Sequence, residues 1–244
     1  MNFQVRKQVV VVITVLMSTM FACNLIQREN QKTTQQGFYA IQPETILGVL
    51  THNEDKVFTP ITEQDVNYSV TNPSVNWAQS DYFQIVDAFY RLVLYDTLDD
   101  WELSSMSFVL GCADVDFGLQ DGRFSFFKIV KNEHNEEVLV SRSIDVDPRY
   151  KIVLLWEREF YPYVITRSSI DLADIKFNSA EALQIAEDNG GQNLRLSLNN
   201  ECSIGLSLSP DSAEYRGWYV YYTRRDNRRL IFDLSIDPFT GDIR

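Results

Sequence analysis

Apolar positions change their spacing several times along this chain, and each change predicts an element. From Ser80, apolar residues fall at Phe83, Val86, Phe89, Tyr90, Val93 and Leu94. Intervals of three and four put one stripe on one side of a helix, with Ser80 or Asp81 as its N-cap. Strand patterns follow at Ser107–Leu110, Arg123–Val130 and Val138–Val140. The second of these is rich in the aromatic and β-branched residues that suit a pleated surface. A polar hairpin tip, Lys131–Glu137, joins the second to the third. Ile144 and Val146 then alternate with Asp145 and Asp147, as in a strand with one wet face, and Lys151–Trp156 predicts another strand.

The same order then returns. Asn178-Ser179-Ala180-Glu181 fits a capping box and opens a helix carrying Ala182, Leu183, Ile185 and Ala186, which Gly190-Gly191 should stop. Leu194–Leu208 alternates in places, Trp218–Thr223 predicts a strand, and a polar tip at Arg224–Arg229 precedes the alternating run Leu230–Ile236. Asp147-Pro148 and Asp237-Pro238 lie 90 residues apart, as do Cys112 and Cys202. This spacing predicts a degenerate internal repeat in an α+β fold: two related units, each a helix packed on a small antiparallel sheet. Residues 38–160 would then hold an N-terminal extension and the first unit, 161–177 a connection, and 178–244 the second unit. In the extension, Pro43–Leu50 predicts a short helix, Thr51–Lys56 a loop, and Asn72-Pro73-Ser74 a break.

The first 22 residues are of another kind. Arg6 and Lys7 precede Val9–Ala22, which is apolar apart from Thr14, Ser18 and Thr19. A charged start and a short apolar run make a secretory signal. Fourteen residues rise about 21 Å as a helix, short of the roughly 30 Å of a hydrocarbon core. The run ends Met20-Phe21-Ala22-Cys23, which resembles the lipobox of bacterial lipoproteins. The resemblance implies that residues 1–22 are a signal peptide and that Cys23 is acylated, palmitate being one such chain, and becomes the mature N-terminus. Met20 and Phe21 depart from the leucine and small residue usual there. An ordinary secretory signal with an incidental cysteine is the competing reading. The Gln-rich stretch that follows Cys23, up to Gly37, reads as a flexible tether. Membrane lipid is then the first expected partner, since two or more acyl chains hold a protein stably.

The second half also resembles a PepSY-type domain. The carrying residues are Asn178–Ala186 (NSAEALQIA), Gly190-Gly191, Trp218-Tyr219-Val220 and Ile236–Gly241 (IDPFTG). The likeness covers 178–244, and 76–156 more loosely, where Arg149-Tyr150-Lys151 lacks the glycine of the family's turn. It implies a small extracytoplasmic α+β module that inhibits peptidases or binds partners, and it supplies no catalytic residue.

Charge narrows the function further. Lys and Arg number 22 against 34 Asp and Glu, a net charge of -12. Such a body repels a phosphate backbone, so no nucleic acid is expected. With Cys23 lipidated, Cys112 and Cys202 remain, enough for one disulfide; buried free thiols are the favoured reading. His52 and His134 sit in polar stretches, and no nucleophile elbow or zinc-protease motif is present. Asp96, Asp99, Asp100 and Glu102, and Asp114 with Asp116, read as solvated acids, so neither metal nor cofactor is expected. The two hairpin tips contrast. Lys131–Glu137 holds three acids and one lysine, whereas Arg224, Arg225, Arg228 and Arg229 share a tip with Asp226 alone. Arginine forks suit carboxylates and phosphates, which makes the second tip a candidate contact for an envelope protein or for anionic headgroups. A solvated turn is the plain alternative. The expectation is a membrane-anchored, extracytoplasmic, non-catalytic binding or inhibitory module. An envelope hydrolase and a purely structural lipoprotein are the competing readings.

Overall fold

A computed structural model describes residues 31–41, 57–66, 68, 77–160, 168–210 and 217–244. Nine strands form one antiparallel sheet: β1 (Gln31–Ile41), β2 (Phe58–Ile61), β3 (Glu102–Gly111), β4 (Asp121–Lys131), β5 (Glu137–Asp147), β6 (Ile152–Phe160), β7 (Cys202–Ser209), β8 (Gly217–Arg224) and β9 (Leu230–Ile236). Their order across the sheet is β2-β1-β6-β5-β4-β3-β7-β8-β9. Among the described residues there is one long helix, α1 (Gln79–Leu92). Two shorter pieces, α2 (Ser179–Ala186) and α3 (Gln192–Ser197), are joined through a kink.

The expectation of two small sheets is therefore corrected. β3 and β7 pair from Met106↔Leu208 to Gly111↔Ser203, so the strands that would begin each sheet are neighbours in the middle of one. The physical reason is edge satisfaction. Two small sheets would each leave an apolar strand with an unpaired backbone edge, and pairing those edges removes both. Alternation supports it: Met106, Phe108 and Leu110 on β3 and Ile204, Leu206 and Leu208 on β7 are all buried on the helix side.

The cysteine reading is corrected as well. Cys112 and Cys202 form a disulfide with Cα atoms 5.2 Å apart. They continue the β3–β7 register by one step, which brings them face to face at the end of the seam. They are not equivalent positions of a repeat. In this antiparallel seam the sequence separation of facing residues falls by two at each step, from 102 at Met106↔Leu208 to 92 at Gly111↔Ser203, and the cysteines, 90 apart, are the next pair. The shared spacing of 90 joined two unrelated coincidences.

Helix α1 starts one residue before the expected cap. Ala78 precedes it, and the Asp81 carboxylate accepts from Ala78 N–H at 2.7 Å. Its buried side is Tyr82, Ile85, Val86, Ala88, Phe89 and Tyr90. Tyr82 meets Phe108 and Phe124 of the sheet, Tyr90 meets Phe126, and Phe89 meets Tyr39 and Phe58 edge to face. One helix thus reaches from β3 to β2. The second helix behaves differently from the expected stop at Gly190-Gly191. Gly190 takes φ 118°, a left-handed conformation that glycine adopts without strain, and the chain turns there and resumes as α3. Gly191 lets the Tyr222 hydroxyl approach: an added Cβ would lie 2.3 Å from it.

β1 begins at Gln31, inside the stretch read as tether, and runs along β6 from Gln31↔Phe160 to Ala40↔Ile152. The expected helix at Pro43–Leu50, the loop at Thr51–Lys56 and the break at Asn72-Pro73-Ser74 lie outside the described residues, as do His52 and Cys23. Both Asp-Pro turns form in the same way. Asp147 accepts from Arg149 N–H at 3.0 Å and Asp237 from Phe239 N–H at 2.8 Å, each an aspartate closing its own turn.

Candidate functional site

The register gives the sheet two unlike ends. β4 turns into β5 at Lys131↔Glu137, and at that same end β6 finishes and β1 begins, Gln31 facing Phe160. The acidic tip therefore shares an end with the start of β1. β8 runs the other way and finishes at Arg224, which faces Cys202 at the disulfide end of the seam. The arginine tip thus stands at the end opposite the acidic tip and opposite the point where β1 enters the sheet. A strand of eleven residues spans roughly 36 Å, several times the ~10 Å over which salt lets exposed charges act.

At the tip, Arg224 N–H donates to Arg229 O at 3.0 Å and Arg228 N–H to Arg224 O at 2.9 Å. Asn227 Oδ1 accepts from Arg229 N–H at 2.9 Å. The backbone is thus held by Asn227 and main-chain bonds, and no arginine side chain is needed for the turn. Arg224, Arg225, Arg228 and Arg229 are all exposed, and among the described residues none of them forms a salt bridge. A shallow cavity of about 350 Å³ opens beside them, lined by Leu198, Glu201, Arg224, Arg225 and Asp226. His134 lies at the far acidic tip, exposed, with its backbone N–H bonded to Asn132 Oδ1.

The second feature was not legible in the sequence. The sheet face turned away from the helices carries a cavity of about 390 Å³. Its floor is Ser107 and Val109 of β3 and Asp121 and Arg123 of β4, with Asp145 and Asp147 beyond and Tyr221, Tyr150 and Tyr68 at its margins. Register builds the rows. Ser107, Arg123, Asp145 and Leu154 stand side by side on four strands, and Val109, Asp121, Asp147 and Ile152 form the next row. Arg123 grips Asp145 through two bonds, 2.7 and 2.6 Å. Arg149 donates to Asp147 at 2.7 Å, to Asp121 at 3.0 Å and to Gln120 at 3.2 Å. Burial pushes the Asp121 carboxyl up to about 6, with Asp147 and Asp145 adding to the rise and Arg149 and Arg123 opposing it.

A raised carboxyl in a cleft is a candidate acid or base. Asp121, however, is bound by Arg149, and no histidine or nucleophile–base pair reaches the cleft among its lining residues. Of the acids singled out in the sequence, Asp99, Asp100, Glu102 and Asp116 are exposed, and two others hold structure. Asp96 accepts from Trp101 Nε1 at 3.0 Å and from Arg142 at 2.9 Å, and Asp114 accepts from Gln120 at 2.5 Å. Among the described residues no group of acids, histidines and cysteines is placed to hold a metal. None of the described helices is long and apolar enough to cross a membrane.

No family model matches the chain, so the PepSY-type and lipobox resemblances rest on the residues quoted above. No curated protein matches it either. Among solved structures, a 12:0-ACP thioesterase from Umbellularia californica aligns over 84% of this chain and 88% of its own, at 8% identity and a TM-score of 0.22, a likeness that carries no argument about fold or activity.

Proposed function

We propose that this protein is a membrane-anchored, extracytoplasmic lipoprotein that binds a partner without catalysis, held by acylated Cys23 and presenting its arginine tip to an anionic envelope component. The observation that carries the binding is the tip itself: four exposed guanidinium groups that the turn does not need, on a chain of net charge -12. The position of the tip favours an envelope partner over the headgroups beside the anchor, because the tip lies at the sheet end opposite the start of β1. The Cys112–Cys202 disulfide supports an oxidising compartment, where such bonds form and persist. The charged start, the short apolar run and Ala22-Cys23 support the anchor.

The test is fractionation of cells expressing the full chain, followed by capture from detergent-solubilised envelopes. Cys23→Ser should release the protein from the membrane fraction or leave an unprocessed precursor. A mature N-terminus found elsewhere, without lipid, removes the anchor. Capture should recover an anionic component that the native tip retains and a tip without arginines loses. Equal recovery by both removes the binding role.

A further inference from the structure

The helix-free face of the sheet carries a second site of different chemistry. Its centre is Gly205 on β7. A Cβ there would lie 2.2 Å from Tyr221 Cζ and 2.5 Å from its hydroxyl, so the Tyr221 ring lies across β7 over the space a side chain would fill. Tyr219, two residues earlier on the same face, stacks beside it with ring centroids 5.4 Å apart and planes 28° apart. Tyr219 is steadied by a hydrogen bond from its hydroxyl to Asp233 at 3.1 Å. The Tyr221 hydroxyl has no hydrogen-bond partner among the described residues and borders the 390 Å³ cavity. Past the two rings the floor is Ser207 and Ser107, register partners, and then the Arg123–Asp145 pair. On the far side Tyr68 and Tyr150 meet edge to face, 5.2 Å apart, as a second aromatic wall.

We propose that this face is a carbohydrate-binding platform that takes a neutral glycan across β7, β3 and β4. Flat aromatic rings offer an apolar surface to the C–H faces of a pyranose, while hydroxyl, carboxylate and guanidinium groups match its rim of hydroxyls. The charges are already matched within the protein, Arg123 by Asp145 and Arg149 by Asp147 and Asp121, which suits an uncharged ligand. Arg123 nevertheless stays 62% exposed in its side chain, leaving donors free for a ligand. Other classes fit less well. A nucleic acid meets a strongly acidic body. A lipid chain would have to bury serines and ion pairs. An extended peptide gains its affinity from backbone pairing at a sheet edge, and here β7, β3 and β4 are interior strands with both edges used. The cavity has the size of small-ligand sites, about 300–1,000 Å³.

The test uses the full chain in a detergent without a sugar headgroup, titrated calorimetrically with cellohexaose, chitohexaose and mannohexaose, and with a pool of neutral extended peptides. At least one hexasaccharide should bind, and Tyr221→Ala should weaken it about tenfold or more, as loss of a central aromatic contact does. Gly205→Ala should weaken it too, because it displaces the ring without removing it, while Tyr221→Trp should retain binding. Thermal melting and an intact disulfide confirm that each variant is folded. Absence of binding by all three sugars at millimolar concentration overturns the proposal. So does sugar binding that is unchanged in folded Tyr221→Ala, or binding of the peptides alone.

Discussion

Cys112 and Cys202 face each other across the seam between β3 and β7, where the two halves of the sequence meet edge to edge. The bond closes a loop of 90 residues. Restricting an unfolded chain over that length is worth between about 2 and 5 kcal/mol. The seam is also held by its own backbone ladder and by a core shared with both helices, so the fold should survive loss of the bond. Replacing both cysteines with alanine should lower unfolding stability in urea by about 2–4 kcal/mol and raise the denaturant slope, because the uncrosslinked unfolded chain exposes more surface. A loss below about 1 kcal/mol would show that the bond constrains little the unfolded chain explores.

How the sequence and the fold relate is clearest at this seam. The periodicity located α1 and most strands, because apolar alternation records burial directly. It could not show that β3 pairs with β7, since two apolar edges are equally content in one sheet or two until the partner is known. The 90-residue spacing misled because it joined two cysteines that face each other across an antiparallel seam to two Asp-Pro turns at the ends of different strands, β5 and β9. β1 was hidden because Gln31–Gly37 lacks the apolar alternation by which the other strands were read. The arginine tip was legible as composition alone. Tyr221 over Gly205 was not, because it exists only once the β7–β8 register is set.

Asp121 makes a pH prediction. Its carboxyl sits near 6 in the folded protein, above the ordinary value of about 3.9. Between those values the folded state holds more protons than the unfolded one, so stability falls as pH rises from about 4 to about 7. The side chain is 32% exposed, which reduces the effect to about 1–2 kcal/mol. Asp121→Asn keeps an oxygen for Arg149 and removes the charge. It should match the native protein near pH 4 and exceed it by about 1–2 kcal/mol at pH 7.5, read from urea melts across that range. Parallel curves for the two proteins would refute the assignment.

Glu187 anchors the kink between α2 and α3. Its carboxylate, only 7% exposed, accepts from Arg195 Nε at 2.6 Å and from the Tyr222 hydroxyl at 2.6 Å. Glu187→Ala leaves a nearly buried guanidinium without its anion and should cost about 3–5 kcal/mol. Tyr222→Phe removes one hydrogen bond and keeps the ring against Phe232, so it should cost about 1–3 kcal/mol. Chemical denaturation of both variants checks the order. If Tyr222→Phe proves the costlier, the Tyr222 hydroxyl rather than the Arg195–Glu187 ion pair holds the kink.

The arginine tip yields the prediction that bears most directly on function. Its four side chains repel one another and bury little, so changing Arg224, Arg225, Arg228 and Arg229 to serine should leave thermal stability within about 0.5 kcal/mol of the native value. The same change takes four positive charges from one end of the sheet. Binding to an anionic partner should therefore weaken, most at low salt, and the salt dependence should flatten because fewer counterions are exchanged. The position of the tip adds a discriminating case. With the chain anchored in vesicles through acylated Cys23, the tip points away from its own surface, so added anionic lipid in that same bilayer should not protect the tip arginines from an arginine-specific reagent. A soluble polyanion should protect them. Protection by the anchoring bilayer itself would mean that the body lies down on its membrane, and would return the headgroups to first place as the partner.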